Sequence, residues 1–211
     1  LNSWWAPGTV EELDIPSGWI AMDLETRADA ILLSGLLLPS EDHGTVRTIT
    51  GQGAGRNDLS RWLPAEVCTW SAEHIEDAEL FLRDLGVAND PDISIYGPPL
   101  FNWVHGTIGH GRGLLTTTGT APQWFFFSTD DPALAEEALT ADPPEGGFDT
   151  VSYRGKRITQ LNLANGHAKL LGPAYAELER PWWCMLGNVA VFASDPGVVR
   201  TDIDAWMDGR T

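Results

Sequence analysis

Histidines and acids are the residues best suited to chemistry here, and their spacing limits what they can do. His105 and His110 stand in Trp103-Val-His-Gly-Thr-Ile-Gly-His110, with Arg112 just beyond. A helical zinc pair places its histidines at i and i+4 with a glutamate between them. This pair has neither the spacing nor the glutamate, and glycines at 106, 109, 111 and 113 oppose a helix. A tight turn or a bulge beside a strand is expected instead. His105 and His110 remain the ligand candidates, for a metal ion or a glycan, with His43, His74 and His167 elsewhere.

Other constellations are weaker. The glycine-rich stretches Gly51–Gly55 and Gly106–Gly113 lack the lysine followed by Ser or Thr of a phosphate loop, so they read as turns. No Gly-x-Ser-x-Gly elbow occurs. Asp130-Asp131 lacks the calcium-loop pattern and reads as helix caps. Cys68 and Cys184 lie in apolar segments, either as two buried free thiols or as one disulfide joining the halves of the chain. The residues therefore name no catalytic group and no cofactor. Among the ten tryptophans, Trp182-Trp183 reads as core, whereas Trp4-Trp5, ahead of Pro7, is a candidate interface.

The elements that must position these residues follow from periodicity. Trp19–Leu24 and Ala30–Leu38 predict a strand hairpin around the polar turn Glu25–Asp29. Three later stretches repeat one pattern, strand to Ser, Thr or Asp to helix. They are Val67–Trp70 before Ser71, Trp124–Phe127 before Ser128 and Asp130, and Val189–Phe192 before Ser194 and Asp195. Pro132 and Pro196 fit the first helical position. Helical spacing joins Ile75, Ala78, Leu82 and Leu85, then Leu134, Ala135, Ala138 and Leu139, then Val199, Ile203 and Trp206. Two-residue turns are expected at Gly155-Lys156 and Gly187-Asn188. The expected fold is α+β, an antiparallel sheet of hairpins with the strand-to-helix units packed on one face. One domain over 1–211 is expected, with two similar subdomains (about 1–90 and 91–211) as the alternative.

Charge narrows the partners. The net charge is −17 over 211 residues, and of the 13 cationic side chains only Lys156 and Lys169 are lysines. Nucleic acid is disfavoured, because phosphate binding needs positive charge to release counterions. Anionic membrane surfaces are disfavoured for the same reason. The longest apolar run, Ala30–Leu38, is far too short for a transmembrane helix.

The order of several segments resembles an uncharacterised family of Bacteroidota envelope proteins, known only as a domain of unknown function. The matching stretches are Trp19–Leu24 with Ala30–Leu36, Gly51-Gln52 with Trp62–Ala65, and Phe125–Leu139. They continue through Tyr153-Arg-Gly155, Leu171-Gly172, Trp182–Gly187, Val191–Ser194 and Ile203–Thr211. The resemblance implies a periplasmic or outer-membrane-associated protein, exported or lipid-anchored, of which this chain is a fragment. Its implied partners are other envelope proteins. It assigns no catalytic residue, and Trp103–His110 departs from it where an acid is expected. A scaffold or interaction module is therefore the first expectation. The alternative is a glycan- or metal-binding domain or hydrolase with its site near His105–Arg112.

Overall fold

The fold was analysed in a computed structural model. It describes residues 18–26, 31–39, 52–53, 55, 61–78, 80, 103–114, 121–141, 145–161 and 178–209. The chain divides into two compact units, Leu1–Gly51 and Gln52–Thr211.

In the first unit, β1 (Gly18–Thr26) pairs antiparallel with β2 (Ile31–Pro39), from Gly18↔Pro39 to Thr26↔Ile31. This is the hairpin expected from the sequence, with β1 running on through Glu25 and Thr26.

The second unit is built on a seven-stranded antiparallel sheet. Its strands are β3 (Val67–Ile75), β4 (Gly106–Gly113), β5 (Gln123–Ser128), β6 (Thr150–Tyr153), β7 (Lys156–Gln160), β8 (Trp182–Leu186) and β9 (Val189–Ala193). They lie in the order β3-β4-β5-β9-β8-β7-β6. Helix α1 (Pro132–Leu139) follows β5, and α2 (Pro196–Met207) follows β9. Each helix begins with proline behind an aspartate cap. Asp131 Oδ1 accepts from the backbone N–H of Ala133 (3.1 Å) and Leu134 (3.0 Å). Asp195 Oδ1 accepts from that of Gly197 (2.6 Å). These bonds satisfy N–H groups that the first helical turn leaves open.

The two helices cover opposite faces of the sheet, which corrects the expected one-faced packing. Side chains alternate along a strand, and each central strand supplies both faces. Phe125 and Phe127 of β5, Trp183 and Met185 of β8, and Ala190 and Phe192 of β9 pack with Ala135 and Leu139 of α1. Trp124 and Phe126, Cys184 and Leu186, and Val189, Val191 and Ala193 pack with Val199 and Ile203 of α2. The rings of Phe127 and Phe192 meet edge to face at 5.4 Å, a favoured aromatic geometry.

Three local expectations also change. At the first strand-to-helix junction, β3 continues through Ser71 to Ile75, so Ser71 and Ile75 are strand residues. The polar group that meets the following backbone is Asp77, whose Oδ1 accepts from Leu80 N–H (2.8 Å). Leu82 and Leu85 lie outside the described residues. Next, Gly106–Gly113 is itself a strand. Gly109 and Gly111 stand opposite Phe126 and Trp124, and a Cβ at Gly111 would press on the Val67 side chain at 3.2 Å. Finally, the first hairpin turn is Arg154-Gly155, one residue earlier than expected, with Tyr153 paired to Lys156. Both turn residues have positive φ (46° and 78°), as a type I′ turn requires. Arg154 is held there by Asp204 and Asp208 of the α2 end, at 2.7 and 3.1 Å. The second turn falls at Gly187-Asn188, as expected.

Candidate functional site

The structure separates the two histidines. His105 lies just before β4, and its Nδ1 is 2.8 Å from Asp130 Oδ2, on the open surface with the two side chains 50% and 79% exposed. His110 lies within β4, stacked on Phe125 at 4.9 Å, with its Nε2 3.3 Å from Gln123 Oε1. Five residues of extended chain span about 16 Å, so the pair cannot share one metal ion. Among the described residues, no group of three His, Cys, Asp or Glu side chains is placed to hold a metal. His43, His167, Trp4 and Trp5 lie outside the described residues. His74, on β3, lies beside the close approach of Gly55.

The acid pair divides its labour, since Asp131 caps α1 while Asp130 faces His105. Residues of the Gly51–Gly55 stretch lie along the end of β3. Gln52 Oε1 accepts from the N–H groups of Glu76 (3.0 Å) and Asp77 (2.9 Å), as a neighbouring strand would. A Cβ at Gly53 or Gly55 would collide with the side chains of Glu76 or His74. These glycines permit close packing beside a carboxylate, which is a poor place for a phosphate.

The cysteines are free thiols, with Cys68 exposed and Cys184 buried. The free-thiol reading holds, with Cys68 exposed and not buried, and the disulfide is overturned. Four strand spacings separate β3 from β8. At about 4.8 Å each they amount to roughly 19 Å, far beyond disulfide reach. Burial pushes the Cys184 thiol up to about 12, with Lys156 opposing, so at neutral pH it is not a nucleophile.

Three features escaped sequence reasoning. The first is the edge strand β3. Cys68, Thr69, Trp70 and Ser71 are all exposed, and Trp70 retains 50% of its surface. A bulge at Cys68 interrupts the register with β4. Among the described residues, no strand pairs with the outer side of β3. Its signal was the polar company of Trp70, in Cys-Thr-Trp-Ser-Ala-Glu-His, which an apolar strand face would not have. The second is a cavity of about 400 Å³ between β7 and β8, near α1. Its signal was Lys156-Arg157, adjacent cations in an acidic chain. The third is Asp202 of α2, which is 2% exposed. Neither of its oxygens has a hydrogen-bond partner of good geometry. Burial, the largest cause, raises its pKa well above the carboxylate range. The nearby Trp124 indole N–H lowers it, and Glu66 raises it further.

No family model matches the chain, and no curated protein and no solved structure matches it either.

Proposed function

We propose that this chain is a non-catalytic module of the bacterial cell envelope that holds partner proteins by strand addition at β3. The exposed edge carries this reading. Sheet edges present backbone donors and acceptors to any extended segment, and proteins commonly blunt them with charge, proline or a covering element. Over Cys68–Ser71 this edge carries no charged side chain and offers an exposed Trp70 as an anchor. Acids flank it at Glu66, Glu73, Glu76 and Asp77, so a partner strand bearing Lys or Arg is the complementary one. The envelope placement, periplasmic or outer-membrane-associated, rests on the family resemblance. A binding role is further supported by the chemistry of the reactive groups. The His105–Asp130 pair stands on open surface, where water screens it, and the Cys184 thiol is neutral.

The test is affinity capture of the tagged full-length protein from gently solubilised native envelopes, followed by mass spectrometry. A stoichiometric envelope partner is expected, and Trp70→Ala should deplete it. A photo-crosslinker attached through Cys68 should join the same partner covalently. A solitary protein, or a partner retained undiminished by Trp70→Ala without a crosslink, overturns the proposal.

A further inference from the structure

The register of the sheet fixes which backbone groups of β3 face outward. In an antiparallel ladder, opposed residues alternate between bonded and non-bonded pairs, so successive residues aim their N–H and C=O at the two sides of the strand in turn. Gly113 N–H donates to Pro122 O at 2.9 Å, which places the odd-numbered residues of β4 in bonded pairs with β5. The even-numbered residues of β4 therefore bond to β3, in pairs such as Ser71↔His110 and Glu73↔Ile108. Trp70, Ala72 and His74 turn their backbone groups to the outer side. Further along, Gln52 occupies that side. Its Oε1 accepts from Glu76 and Asp77, and its Nε2 donates to Asp77 O at 3.3 Å. Gly55 lies against the His74 ring. At the other end, the bulge at Cys68 breaks the regular register. The rungs left open are those of Trp70 and Ala72, in a window over Thr69–Glu73.

The two faces of this window differ. Ala72 packs with the α2-face core, and Trp70, two residues back, lies on the same face. Thr69, Ser71 and Glu73 share the other face with Ile75 of the α1-face core. A strand added here sets apolar side chains beside Trp70 and Ala72 and polar ones beside Thr69 and Ser71. Glu73 calls for a cation opposite it, since opposed unlike charges stabilise a pair of strands and like charges destabilise it. Beyond the bulge, the exposed Glu66 asks the same of the other end. A second copy of the chain is a poor occupant, because each carries a net charge of −17.

We infer that the β3 window takes a short antiparallel strand of another protein, with β-branched residues opposite Trp70 and Ala72 and Lys or Arg opposite Glu73 and near Glu66. This inference rests on strand addition at β3, and adds to it the register, the length and the side-chain pattern of the partner.

The test is an amide NMR titration of the full chain with the blocked peptide Lys-Val-Thr-Val-Thr-Lys. It is added to about 1 mM, which detects affinities much weaker than micromolar. One control is Glu-Val-Thr-Val-Thr-Glu. The other is the lysine peptide N-methylated at both valines, which keeps its charge and loses the donors of both rungs. The lysine peptide is expected to shift Thr69–Glu73 and to bind about tenfold tighter than the glutamate peptide, the scale of two exchanged charge pairs. The N-methylated peptide should leave the window unshifted. Glu73→Gln, at an exposed position, should weaken the lysine peptide about threefold with the rest of the spectrum unchanged. Equal binding of the lysine and glutamate peptides overturns the charge pattern and leaves the edge reading intact. Undiminished binding of the N-methylated peptide overturns strand addition itself. No shift with the lysine peptide, or shifts outside the window, overturns the inference, whereas capture with Trp70→Ala decides the edge reading separately.

Discussion

Replacing Asp202 with asparagine should make the protein progressively more stable than the wild type as pH rises from 4 to 8. The carboxyl of Asp202 is 2% exposed among Trp124, Val199 and Ile203. Burial holds its pKa well above the ordinary 3.8, so the folded state keeps a proton that the unfolded chain releases. Where the folded state binds more protons, stability falls as pH rises. The stabilising effect is complete below the unfolded pKa and is lost as pH climbs through the folded one. One proton difference is worth about 1.4 kcal/mol per pH unit. The wild type therefore loses stability against the variant at up to that rate over the pH range in which the folded carboxyl keeps its proton, roughly 3 to 6 °C in melting temperature per pH unit for a chain of this size. Other groups titrate too, and the −17 charge adds repulsion at higher pH. Both proteins share these effects, so the difference between their melting curves, measured by circular dichroism at matched ionic strength, isolates Asp202. A difference that stays constant from pH 4 to 8 refutes the reasoning, because the carboxyl would then titrate alike in folded and unfolded chains.

A thiol reagent at pH 8 should modify Cys68 alone in the native protein and both cysteines in denaturant, as counted by mass spectrometry, since Cys184 is buried with its pKa near 12. Phe192→Ala, which empties a site at the centre of the α1 face, should cost about 3 to 5 kcal/mol in chemical denaturation. Trp70→Ala on the exposed edge should change stability by about 0.5 kcal/mol or less. Gly187→Ala should cost about 1 kcal/mol or more, because φ is +59° and the new Cβ would lie 3.3 Å from the Trp62 ring. A Gly187→Ala protein as stable as wild type argues against the tight β8–β9 turn.

Much of the architecture was legible where one local signal sufficed. Pro132 and Pro196 behind aspartates marked both helix starts, and Gly187-Asn188 marked a turn between two apolar runs. The two covered faces were also readable in principle. Trp124–Phe127 and Val189–Ala193 are unbroken apolar runs, and a strand with one wet face alternates instead. What failed depended on distant residues. Ser71 reads as a cap, but β4 pairs with the chain through Ile75 and keeps it extended. Gly155-Lys156 reads as the turn, but Tyr153 pairs with Lys156 and Arg154 takes the positive φ, its guanidinium bonded to Asp204 and Asp208. The histidines looked adjacent because a strand had not been assigned between them, and its rise carries them apart. The β7–β8 cleft had no readable signal beyond Lys156-Arg157, since it exists only where two strands diverge.

The place of β9 has a consequence for how the molecule is made. β9 lies between β5 and β8, closing the inner side of β5 from far along the chain. On the ribosome, β3, β4 and β5 emerge first, and the aromatic row Trp124–Phe127 then waits without its central neighbour until residues 189–193 have been synthesised. Pairings this distant in sequence form slowly, and an unpaired apolar strand invites the wrong partner meanwhile. The nascent chain thus passes through a vulnerable interval that ends only when β9 is available to pair with β5.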